Sequence, residues 1–274
     1  MSDTTTLQSP KKLFTILEYV IESGGAGVTE VATETGLAKS TVHLHLQTLT
    51  DLGHVVRRDN GYHPSLQLFE WGERIRNGIE AYRRGREEVD SLAERTAELV
   101  NFGIVENSTV RLVYLRQGEE AQHRSSDASV STEFTSDAPN VRTISENYQH
   151  ALGEELPMHA TAMGKAILAE LPDSSVSEII ERSGLHPYTK NTISSRDELF
   201  DELEKVRSQG FAEDDEERAE GVRCIGSSIC QGKEPVAALS VSVRAERLQG
   251  EYKVEIARKV IDTSNMIEIE LLYQ

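Results

Sequence analysis

Glycine stops divide the first 64 residues into three short amphipathic runs and a hairpin. The run "PKKLFTILEYVIES" (10–23) places Leu13, Ile16, Leu17, Val20 and Ile21 on one helical face. Pro10 suits its first turn, and Gly24-Gly25 ends it. A second helix is expected over "TEVATET" (29–35), with Thr29 as its N-cap and Gly36 as its C-terminal break. "LAKSTVHLHLQTLTDLG" reads as a third, ended by Gly53. In "HVVRRDNGYHP", Asp59-Asn60-Gly61 is a hairpin signal between short β-prone runs.

Helix, helix, short turn, helix and hairpin describe a winged helix-turn-helix. Its second helix would enter the DNA major groove with N-terminal residues at base edges. Within "STVHLHLQTL" the apolar seam is Val42, Leu46 and Leu49. His43 and His45 point about 200° apart on a helix, so they cannot hold one metal ion together. His45 borders the seam and is expected to be packed or half-buried. Lys39, Ser40, Thr41, His43 and Gln47 lie off the seam and suit phosphates and bases. Leu44 also escapes it, where it can meet a thymine methyl group. The alternative is a merely solvated polar face; Arg57 and Arg58 in the hairpin weigh against that.

Charge pulls the other way. The chain of 274 residues has 46 acidic against 29 basic side chains, a net charge of −17. Nine lysines and twenty arginines make up the basic set. High acid with little lysine suggests a protein of salty cytoplasm, where self-repulsion is screened. Residues 1–64 themselves carry five basic and seven acidic side chains, whereas DNA-binding domains are usually basic. In molar salt the Debye length falls to about 3 Å, and base contacts and DNA shape carry more of the binding. No apolar run reaches the length of a membrane span, and the N-terminus lacks a leader pattern, so a cytoplasmic protein is expected. The two cysteines, Cys224 and Cys230, form neither a disulfide framework nor a zinc motif.

The pattern stays helical from Leu66 to about Leu99, weakened by Gly72, Gly78 and Gly85 at about 1 kcal/mol each relative to alanine. The expected organisation is a DNA-binding domain over 1–64, a linker helix over 65–85 and a second domain over 86–274. Strand-like runs follow at 100–106, 109–117, 223–230 and 235–243, with helices at 161–170, 174–182, 195–209 and 251–272. That order implies an α+β domain with an antiparallel sheet. Residues 118–150 are polar and read as a long loop or ragged strands.

Two blocks are more specific. In "LPMHATAMGKAILAELP" (156–172), Thr161 can cap a helix whose first turn holds Ala162, Met163 and Gly164. Small residues there admit a ligand to backbone N–H groups, and a helix N-terminus favours an anion; close helix packing is the alternative. In "GFAEDDEERAEGVRCIGSSI" and "EPVAALSVSV" (210–243), Ser240 and Ser242 alternate on one strand face, and Cys224 can sit on the neighbouring strand. Asp215, Glu216 and Glu217 read as a solvated acidic turn.

Together with "GLAKSTVHLHLQTL", "LQLFEWG" and "GLHPYT", these blocks resemble the IclR family of transcriptional regulators over almost the whole chain. The resemblance implies a winged helix-turn-helix, a linker helix and a GAF-like α/β effector-binding domain. It implies a pocket at Ala162, Met163, Asp214, Cys224, Ser240 and Ser242, a small-molecule effector, and homodimers or dimers of dimers on double-stranded operator DNA. Three departures stand out: the long 118–150 segment, Leu44 where relatives often carry arginine, and Val243 where many carry glycine. Operator sequence therefore does not transfer.

Catalysis is the competing class. Cys224 with His159 or His186 would make a nucleophile and base, and Asp214, Asp215 and Glu216 a metal site. Neither comes with a supporting motif such as G-x-S-x-G, H-E-x-x-H or a P-loop. A sensor without DNA binding is a third class, disfavoured by the polar reading helix. The expectation is a regulator, not an enzyme, without metal or cofactor, sensing a carboxylate or sugar acid of carbon catabolism.

Overall fold

The computed structural model describes residues 6–118 and 152–273. The polar segment 118–150 therefore lies, apart from Gly118, outside the described residues. Contacts divide the chain into two compact units, Met1–Gly78 and Ile79–Gln274.

In the first unit α1 (Gln8–Glu22), α2 (Val28–Thr35) and α3 (Lys39–Asp51) precede a hairpin of β1 (Val55–Arg58) and β2 (Gly61–Pro64). Ile16, Val20, Val31, Val42, Leu46 and Leu49 are fully buried together. Ile21 is 47 % exposed, because Ile16, Leu17 and Val20 already fill the inward stripe of α1. Thr29 is not the cap of α2. That helix begins at Val28, and its cap lies two residues before Thr29, at Gly27, whose N–H donates to the Glu30 carboxylate at 3.4 Å. The hairpin closes at Arg58 opposite Gly61. Gly61 has φ of 137°, and a Cβ there would stand 2.7 Å from the Ala26 carbonyl oxygen. Only glycine lets the wing approach the α1–α2 turn closely enough for the paired Ala26 and Tyr62 hydrogen bonds, 2.9 and 3.0 Å. Helix α4 (Gln67–Gly78) ends this unit and buries none of its residues.

The helical stretch expected over 65–85 breaks at Gly78. Its remainder starts α5 (Glu80–Thr96), whose Ala81, Tyr82 and Gly85 are buried in the second unit. The Gly85 Cβ position would lie 2.9 Å from the Phe102 ring, so a glycine there sets how closely α5 meets the sheet.

Six antiparallel strands make that sheet: β3 (Leu99–Glu106), β4 (Thr109–Gln117), β5 (Glu155–Leu156), β6 (Ala212–Asp215), β7 (Val222–Gln231) and β8 (Glu234–Arg244). Their spatial order is β5-β4-β3-β8-β7-β6. Its helices are α6 (Ala162–Glu170), α7 (Asp173–Ser183), α8 (Arg196–Gln209) and α9 (Gly250–Leu272). Alternation along the strands makes two faces. Val100, Phe102, Ile225, Leu239 and Val241 pack with α5 and α9. Leu112, Ala212 and Ala238 share a second core with α6 and α8. The sequence reading missed β5 and β6. Both are short, and β6 includes Glu213, Asp214 and Asp215, residues of low strand preference held there by pairing with β7.

Candidate functional site

The proposed DNA-reading residues stand on the outside of the first core. Lys39, Ser40, His43, Leu44 and Gln47 are exposed on α3, and Thr41 is half-buried. Leu44 is 66 % exposed, while His45 is half-buried against the seam. Among the described residues no side chain caps the N-terminus of α3 at Ala38, which leaves its first-turn N–H groups without a side-chain acceptor. Arg57 and Arg58 are exposed on β1, and the Arg57 guanidinium lies 5.8 Å from the Tyr62 ring centre.

In the second unit the structure gathers the predicted effector residues under one helix end. Thr161 caps α6 by accepting the Gly164 N–H at 3.1 Å. Ala162 and Met163, both buried, follow the cap, and among the described residues their N–H groups have no acceptor. Gly164 has a different part. Its N–H belongs to the cap, and a Cβ there would lie 2.4 Å from the Met158 carbonyl oxygen. Its missing side chain serves close packing rather than ligand approach.

Below this end runs a polar row across four strands. Asp214 on β6 pairs in register with Cys224 on β7, Cys224 with Ser242 on β8, and Ser240 with Asn101 on β3. All five are buried. Cys224 Sγ is 3.2 Å from Ser242 Oγ. Asn101 Nδ2 lies 2.9 Å from Ser242 Oγ and 3.4 Å from Ser240 Oγ. Gly226, opposite Ser240, brings α6 down onto the sheet: a Cβ there would meet Ala162 at 3.0 Å.

Charge is organised beside the row. Lys165 is fully buried and pairs with Glu217, with Glu202 3.9 Å away. Asp214 Oδ1 accepts the Glu217 N–H at 2.8 Å and the Arg218 N–H at 3.3 Å. Burial, with Glu217 adding repulsion, pushes the Asp214 carboxyl up to about 7. Burial also raises Glu217, against the pull of Lys165. Glu217 was expected in solvent; the structure buries it because Lys165 requires a counter-charge in the core. Thr192 Oγ1 donates to the Glu217 carbonyl at 2.6 Å, and Thr189 Oγ1 to that of Glu216 at 2.7 Å, fixing the turn.

The catalytic alternatives lose their parts. Burial raises the Cys224 thiol, and its partner is a serine hydroxyl, not an imidazole. His159 Nε2 donates instead to the His186 carbonyl at 3.0 Å. Asp215 pairs with Arg223 at 2.5 Å, and Glu216 accepts the Gly221 N–H at 2.8 Å, so the consecutive acids do not converge on one ion. A cavity of about 180 Å³, lined among others by Leu156, Met158, His159, Ile179 and Leu185, contains none of the seven predicted effector residues.

Sequence reading missed Asn101, Lys165 and Glu217. Two signals were present: a lone amide in the apolar strand "LVNFGIV", and a lone cation in "AMGKAILA", every residue of which is buried.

Comparison with known proteins places this geometry. The family model for the IclR helix-turn-helix domain matches residues 9–59, and that for the bacterial transcriptional regulator IclR C-terminal matches 141–269. The probable HTH-type transcriptional regulator ArcR of Halobacterium salinarum is 32 % identical, over 93 % of this chain and 90 % of its own. The acetate operon repressor of Salmonella typhimurium is 30 % identical, over 98 % and 91 % respectively. The crystal structure of the Thermotoga maritima IclR superposes with a TM-score of 0.73 at 26 % identity, covering 98 % of this chain and 100 % of that one. The chain belongs to the IclR family, DNA-binding transcriptional regulators with a C-terminal effector-binding domain.

Proposed function

We propose that the second unit senses a small carboxylate and that the exposed α3 face reads a pseudo-palindromic operator. The observation that carries the sensor reading is the pair of N–H groups of the buried Ala162 and Met163, without an acceptor among the described residues, above the row of Asp214, Cys224, Ser240 and Ser242. A helix N-terminus attracts an anion. Asp214, neutral below about pH 7, can donate to a carboxylate that its charged form would repel. Thermal shift with a panel of small carboxylates tests this: binders should raise the Tm of the wild type and leave Ser242→Leu unmoved. A panel that moves neither protein, or both alike, contradicts the reading.

On DNA, Lys39, Ser40 and Thr41 suit phosphates, together with Arg57 and Arg58, while His43, Leu44 and Gln47 suit base edges. Two-fold operator symmetry calls for a homodimer, or a dimer of dimers. Supporting that, α4 buries nothing yet presents Phe69 at 67 % and Ile75 at 68 % exposure, and α1 presents Phe14 at 57 %. Light scattering checks the assembly, and a monomer at micromolar concentration contradicts it. Effector and operator must then be coupled through a difference in effector affinity between two arrangements of the chain. The charge of −17 supports work in a salty cytoplasm. Melting should rise steeply with KCl; equal stability in dilute buffer and molar KCl contradicts it. Among the described residues no helix is long and apolar enough to cross a membrane.

A further inference from the structure

Asn101 is the one member of the buried row that the family resemblance does not assign. It is 3 % exposed on a strand whose neighbours Val100 and Phe102 are fully buried on the opposite face. Register sets it beside Ser240, on the same side of the sheet as Ser242 and Cys224. The nitrogen end of its amide faces both serine hydroxyls. The oxygen end, Oδ1, is buried and has no hydrogen-bond partner among the described residues. Burying an unpaired carbonyl oxygen is unfavourable, and a valine or leucine on this strand would avoid it. An acceptor kept at that cost calls for a donor.

We propose that Asn101 contacts the effector directly, and that the effector carries, besides its carboxylate, a hydroxyl group that donates to Asn101 Oδ1. The inference rests on the reading of this row as the effector site. The ligand class is then a small hydroxy acid. Its carboxylate meets the Ala162 and Met163 N–H groups, its hydroxyl reaches across to the fourth strand, and Ser240 and Ser242 lie between. A 2-oxo acid offers an acceptor where Asn101 already presents one, leaving two lone-pair groups opposed.

The test uses the full chain and matched probes: glycolate against glyoxylate, lactate against pyruvate, and 2-hydroxybutyrate against 2-oxobutyrate, each titrated calorimetrically. At least one hydroxy acid should bind about tenfold or more tightly than its oxo partner, the worth of one buried hydrogen bond. In Asn101→Leu that preference should collapse toward unity while the melting temperature stays near the wild type. In Asn101→Ser, which keeps an acceptor, part of the preference should remain. A merely structural Asn101 would instead weaken both members of a pair alike, and that result overturns the proposal. So does an equal or reversed preference in the wild type, which leaves the sensor reading intact. Failure of every acid to bind overturns the sensor reading and the proposal together.

Discussion

The two functional regions of this regulator are built in opposite ways. The proposed reading face of α3 lies outside an apolar core: Val42, Leu46 and Leu49 hold the helix, and Lys39, Ser40, His43 and Gln47 point away from them. The proposed effector row is cut into the core itself, with Asp214, Ser240 and Ser242 each at 3 % exposure or less. In the first region, support and the proposed recognition fall to separate residues. In the second the proposed binding groups are themselves buried in the core.

The largest expected effect breaks the second region through its buried ion pair. Lys165→Met leaves Glu217 buried without its counter-charge and should cost about 3–5 kcal/mol in urea unfolding. Lys165→Met combined with Glu217→Gln should recover most of that loss, and an equal loss in the double variant contradicts the pairing argument. Next comes the pH dependence. The Asp214 carboxyl is raised from 3.8 to about 7 in the folded chain, so the folded state holds a proton the unfolded state has released. Its contribution is complete below 3.8 and is lost as pH rises toward about 7, at about 1.4 kcal/mol per pH unit. Asp214→Asn should flatten that slope; an unchanged slope by chemical denaturation at stepped pH removes Asp214 as its source. Smallest are the effects on the first region. His43→Ala or Gln47→Ala should change stability by less than about 0.5 kcal/mol. A larger loss would mean that the reading face is part of the core, and the contrast between the regions would fail.

The same contrast explains what the sequence made legible. In the first unit, periodicity and glycine stops sort residues into inside and outside. The three helices, the hairpin and the half-buried His45 can therefore be read directly; the cap of α2 lies at Gly27, two positions before Thr29, and Ile21 falls outside the inward stripe of α1. In the second unit, strand alternation revealed the shared face of Ser240 and Ser242, but local pattern cannot say which strand lies beside which. Asn101 is 139 residues from Ser240, and Glu217 is 52 from Lys165, so only the sheet order brings them together. Glu217 looked like one more acid in an acidic turn because the cation that buries it lies on another element. Gly164 differs: the backbone it accommodates, Met158, is local in sequence, and only the turn geometry between them shows the close approach.

The separation of reading face and effector row is tested most directly by titrating metabolite-free protein, in molar KCl, against an operator selected from a random DNA pool. Gln47→Ala should lose about 1–3 kcal/mol of discrimination between the operator and a singly substituted site, while Ser242→Ala should bind both like the wild type. Equal losses in the two variants, or a loss confined to Ser242→Ala, would contradict the account.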